Sequence, residues 1–152
     1  MNKKKWQIDD LTDELQFNLA AKLILKNRLG AVQEDIKEYF INDSVERLHR
    51  LRISLRRLRY SMELFVSCFE KKKFMILYKR VEALQDLSGK VRDFDVMKEN
   101  MKLLSSGENF KIDKKIMAKI DELRSSSYSE LKLALMKYSH SKAVKNFDAM
   151  LN

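Results

Sequence analysis

Proline is absent from the 152 residues, and glycine occurs only three times. Both residues interrupt helices, one by removing a backbone donor and clashing with the preceding turn, the other through backbone entropy. Their scarcity makes long unbroken helices the default expectation. The single cysteine, Cys68, excludes an internal disulfide framework and fits a reducing compartment. No apolar run approaches the roughly 20 residues that cross a bilayer. The basic start, residues 1–5, is not followed by the hydrophobic stretch of a secretory signal. A cytoplasmic protein without a membrane partner is expected. Two histidines far apart, His49 and His140, do not suggest a zinc site. Strand-like alternation, low-complexity tracts and internal repeats are also missing, and the length suits one domain covering residues 1–152.

Positive charge is abundant. The chain carries a formal net charge of +9, with 35% charged residues, which points to an anionic partner: nucleic acid, a membrane surface or a phosphate polymer. Six of the ten arginines fall between Arg47 and Arg59, so the charge is concentrated on one segment.

Hydrophobic periodicity divides the chain into helices. The first is expected over residues 9–40, bending near Gly30, with Asp9, Asp10 and Asp13 at its start to complement the helix dipole. Residues 41–44 form a turn, and Asp43 followed by Glu46 resembles a capping box opening a second helix that reaches about residue 70. Lys71, Lys72 and Lys73 mark its cationic end or the turn after it. A third helix is expected over residues 74–104, with a break at Ser88 and Gly89, followed by a loop over residues 105–109. A fourth covers residues 113–138, and Ser139, His140 and Ser141 separate a short closing helix. The expected fold is all-α, an antiparallel four-helix bundle with a short C-terminal helix.

At about 100° per residue, Leu48, Leu51, Leu55, Leu58 and Met62 form the core stripe of the second helix. His49, Arg52, Arg56 and Arg59 form a second stripe beside it, whereas Arg47, Arg50 and Arg57 point more outward. The plain alternative is a solvated basic face. Against it, Glu46 and Glu63 are the nearest acids in sequence and nothing acidic lies between them. Stacked like charges repel, so external negative charge is expected there, and arginine's planar fork suits phosphate oxygens. On the first helix, Lys22 and Lys26 fall within the inward arc of Leu11, Leu15, Leu19, Leu25 and Leu29. Arg80 lies beside Leu77, Val81 and Leu84. Arg124 lies within the arc of Ile116, Ile120, Leu123, Leu131 and Leu135. Core-facing cations on several helices suggest a shared channel or groove, although lysines can also reach past a core to its edge.

The run LHRLRISLRRLRYSMELF, residues 48–65, resembles the signature helix of CHAD domains, the conserved-histidine α-helical domains. The shared pattern is a histidine, an arginine three on, a basic pair at seven and eight, and an arginine at ten. The run LQDLSGKVRDFDV, residues 84–96, resembles a second family segment, with Ser88 in place of the usual leucine. Arg124 with Tyr128, Leu131 and Leu135 fits a weaker third block. The resemblance implies a module that binds inorganic polyphosphate without catalysis and without a cofactor, with association to polyphosphate granules as one destination. On this resemblance His49, Arg52, Arg56 and Arg59 match residue by residue and Arg57 matches the basic pair, while Lys22, Lys26, Arg80 and Arg124 are added from helix phase. CHAD domains usually pair two four-helix halves, and this chain has the length of one, so a homodimer is expected to rebuild the pair.

Two other function classes compete. A nucleic-acid-binding helical protein would suit the charge, but Trp6 and most Phe and Tyr residues fall at core spacings, not interleaved with the basic stripe. A metal-dependent phosphohydrolase would need carboxylates such as Asp86, Asp93 and Asp95, or His49 as an acid or base. The simpler reading has Asp93 or Asp95 capping a renewed helix after Gly89 and pairing with Arg92. Cys68 is read as core.

Overall fold

The computed structural model describes residue 4 and residues 7–107 and 111–152. Trp6 and the expected loop residues Glu108 and Asn109 lie outside the described residues. Five α-helices follow one another: α1 (Phe17–Ile41), α2 (Val45–Phe65), α3 (Lys71–Gly107), α4 (Lys114–Ser139) and α5 (Lys142–Met150), with a 3₁₀ turn, Val66–Cys68, after α2. No strand occurs among the described residues, and the all-α expectation holds.

Helix α1 begins at Phe17 and not near Asp9. Asp10 sits at φ 63°, a left-handed conformation that aspartate tolerates and a helix does not. The acids at 9, 10 and 13 therefore lie in the turns before α1, and its first turn holds none. The expected inward arc loses Leu11 and Leu19, which are 40% and 51% exposed. Ala21, Leu25, Leu29, Val32, Ile36 and Tyr39 form the buried stripe instead. No break interrupts the helix at Gly30.

The start of α2 is set by Ser44, one residue later than the expected cap. Ser44 is extended, and its hydroxyl accepts the Arg47 backbone N–H at 3.3 Å. Asp43 is thereby released from capping and accepts a hydrogen bond from the Tyr128 hydroxyl of α4. Lys71, Lys72 and Lys73 open α3 and do not close α2; Lys73 meets Glu70 at 3.0 Å. Helix α3 also runs unbroken through Ser88 and Gly89 to Gly107, taking in residues 105–107 expected as loop. Ser88 keeps the core-facing phase of Leu84 and Val91. Its buried hydroxyl donates to the Gln85 carbonyl at 2.8 Å, so it needs no other partner. Helices α4 and α5 start at Asp113 and Ser141, whose side chains accept the N–H of Lys115 and of Val144.

Leu48, Leu51, Leu55, Leu58 and Met62 of α2 are all buried, as their spacing requires. They join the α1 stripe, Phe74, Leu77, Val81 and Leu84 of α3, and Leu131, Leu135 and Tyr138 of α4 in one core. Ile116 and Leu123 of the expected α4 arc are exposed, while Ile120 is buried. Helix α1 packs on α2, α2 on α3, and α3 on α4. Helix α5 closes one end against α3, its Phe147 ring 5.4 Å from that of Phe74. Among the described residues no helix is long and apolar enough to cross a membrane.

Candidate anion-binding surface

Because the buried stripe of α2 faces inward, its two flanks lie against different neighbours. On the flank toward α1, Arg47 meets Glu38 at 3.0 Å and Arg50 meets Asp35 at 3.5 Å. The opposite flank, toward α3, carries His49, Arg52, Arg56 and Arg59 in the expected row.

Arg59 anchors that flank. Its Nε donates to Glu63 Oε1 and to the Tyr78 hydroxyl, both at 3.2 Å, and its Nη2 lies 3.2 Å from Glu82. The Tyr78 hydroxyl donates to Glu63 at 2.7 Å. The bond to Tyr78 holds Arg59 above the ordinary guanidinium value, and donation to Glu63 raises Tyr78. Glu82 and Tyr78 are contributed by α3, so helix phase on α2 alone could not reveal them.

Arg52 differs. It is half-buried, and its Nε is shielded from solvent with no acceptor within hydrogen-bond distance. His49 and Arg56 are exposed. None of the three has an ion pair or hydrogen bond among the described residues. Counting antiparallel from the contacts of Arg59 with Tyr78 and Glu82 places Arg52 across from residues 85–89. Gln85 belongs to that stretch, and its Oε1 is likewise buried without a partner. Gln85 and Tyr78 thus join the surface, and neither was singled out from the sequence.

The remaining expected residues lie elsewhere. Arg57 turns toward α1 and lines a groove there with Arg28. Lys22 and Lys26 donate to Asn152, to its main-chain oxygen at 3.2 Å and its side-chain oxygen at 2.5 Å. Arg80 is exposed and lines hollows against α4 and α5 beside Lys137 and Lys142; on α3 it stands about 200° from both Tyr78 and Glu82. Arg124 donates to Asp95 Oδ1 at 2.5 Å, and this bond raises its pKa. Only the α2 row therefore lines the α2–α3 flank.

Asp95 pairs with Arg124, not Arg92, and neither Asp93 nor Asp95 caps a helix, because α3 is continuous. Asp86 and Asp93 share an exposed face of α3, with Asp95 turned inward. No group of three His, Cys, Asp or Glu side chains is placed to hold a metal among the described residues. The His140 ring lies 3.0 Å from the Met136 carbonyl, and half-buried Cys68 packs against the core.

A family model described as CHAD domain matches residues 5–102. That span covers α1, α2 and most of α3, including the whole basic row. No curated protein and no solved structure matches.

Proposed function

The chain belongs to the CHAD domain family, and from that premise we propose that it binds inorganic polyphosphate along the α2–α3 flank and holds the polymer without cleaving it. The family is associated with polyphosphate binding and acts generally as a binding domain, not a catalyst. One observation carries the reading for this chain: Arg52, a buried guanidinium donor with no acceptor. A buried donor left unmade forfeits about 1–3 kcal/mol, and a shift of this half-buried side chain toward solvent would let a phosphate oxygen recover it with a charge-assisted bond. Exposed Arg56 and His49, one turn on either side, extend the row so that successive phosphates of one chain can be engaged together. Arg59 contributes less, because Glu63 and Glu82 already neutralise it.

Arg52→Ala and Arg56→Ala are expected to weaken binding of long-chain polyphosphate by roughly 10- to 100-fold each, at about 1.5–3 kcal/mol per charge-assisted bond. Arg59→Ala is expected to weaken it less, and helicity should survive in all three. Calorimetric titration at fixed salt checks this; unchanged affinity in both Arg52→Ala and Arg56→Ala would remove the assignment. RNA or DNA binding as tightly as polyphosphate at the same salt would favour the nucleic-acid reading. Release of orthophosphate by the purified protein with Mg²⁺ would favour hydrolysis.

A further inference from the structure

A cavity of about 630 Å³ lies on the other flank of α2, between α1 and α2. Its size falls within the range of small-molecule sites. The register of the two helices is set by Arg47 against Glu38 and Arg50 against Asp35. Moving seven residues further along α2 and seven back along α1 brings Arg57 opposite Arg28. Neither guanidinium has an ion pair or hydrogen bond among the described residues. Both line the cavity. Arg28 is held below its ordinary value, first by burial and then by the charge of Arg57. Two mutually repelling cations thus line one end of a cavity, with no carboxylate within ion-pair distance of either among the described residues.

The walls suit a body larger than phosphate. Gly30 and Ala31 leave the α1 side open, and a Cβ on Gly30 would meet nothing within 4 Å. Ile53 supplies an apolar surface from α2. Toward the other end, about 10 Å along the helices at 1.5 Å per residue, Glu34 offers carboxylate oxygens with no ion pair or hydrogen bond among the described residues, and Asp35 holds Arg50. The groove is therefore cationic at one end, apolar along its wall and rich in acceptors at the other.

We propose that this groove is a separate site for a nucleoside polyphosphate, with its phosphates between Arg28 and Arg57, its base against Ile53 and its hydroxyl or amino donors toward Glu34. The site faces away from the α2–α3 flank, so it does not depend on polyphosphate binding there. Arg57 acts in this groove and not in the row with Arg52.

ATP serves as the probe, titrated calorimetrically at low salt into wild-type protein. Saturable one-to-one binding is expected, weakened at least tenfold by Arg28→Ala and by Arg57→Ala and unchanged by Arg52→Ala. Gly30→Leu tests the cavity without altering charge: it should abolish ATP binding while leaving helicity and polyphosphate affinity intact. Absence of ATP binding at millimolar concentration, or binding indifferent to Arg28→Ala and Arg57→Ala, overturns the proposal. So does loss of ATP binding in Arg52→Ala, which would move the nucleotide to the polyphosphate surface. Tripolyphosphate binding as tightly as ATP at this site would overturn the nucleoside assignment. Failure of any of these leaves the effect of Arg52→Ala on polyphosphate as a separate result.

Discussion

Arg52 and Arg59 stand two turns apart on the same flank of α2, and their neighbours give them opposite roles. Arg59 is enclosed by Glu63, Glu82 and Tyr78 and serves as a tie between α2 and α3. Arg52 has a buried Nε with no acceptor among the described residues. The row was legible in the sequence because a helix wheel needs only spacing. The difference between its members was not, because Glu82 and Tyr78 come from another helix. Asp43 shows the same limit: read as a cap, it instead receives the Tyr128 hydroxyl, with Lys132 at 3.8 Å. The Tyr128 bond is the main reason its carboxyl titrates below the ordinary value, and Lys132 adds to the effect. A lowered folded-state value means this link contributes fully above the ordinary carboxylate pKa of about 4. Its contribution is lost as pH falls through the lower folded value. Tyr128→Phe is therefore expected to flatten the acid side of the stability profile below about pH 4 while changing little in the Lys132 contact. Urea midpoints measured across pH 2–7 read this out, and an unchanged acid limb would show that the link carries no stability.

At the scale of single helices, buried stripes were easier to read than ends. All five apolar residues assigned to the α2 core are buried, because a period near 3.6 admits one buried face. Ends depend on single backbone conformations. The spacing of Asp43 and Glu46 predicts a cap at Asp43, but the extended Ser44 takes it, its hydroxyl accepting the Arg47 N–H. Ser44→Ala is expected to lower stability by about 1 kcal/mol, seen as a lower urea midpoint with unchanged slope. An equal midpoint would mean that another group caps α2. The expected break at Ser88 and Gly89 failed for a different reason. Ser88 satisfies its own hydroxyl within the helix, and Gly89 needs no unusual backbone conformation, since no glycine has positive φ. A Cβ on Gly89 would meet nothing within 4 Å. Gly89→Ala should accordingly raise stability by about 0.5–1 kcal/mol. A fall in the urea midpoint would show that the position requires glycine.

Over the whole molecule, the net charge of +9 favours association with a polyanion, while the packing decides where the charge can act. Lys22, Lys26 and Arg124 are engaged by Asn152 and Asp95, and Arg80 occupies a different flank. The expectation of one shared groove thus gives way to a single row on α2. The homodimer belongs with the proposed function: a twofold axis would align two such rows on one polymer and increase avidity. Light scattering with long-chain polyphosphate is expected to report a dimer that Arg52→Ala weakens, and a monomer at saturating polymer would count against it. The sequence by itself determined the helical class, the core face of α2 and the phase of its arginines, because these follow from residue type and spacing along one chain segment. Only the tertiary structure decided which cations are already matched and which line an open groove. That depends on carboxylates and hydroxyls brought from other helices, and electrostatic pairing is fixed by distance in space, not by separation along the chain.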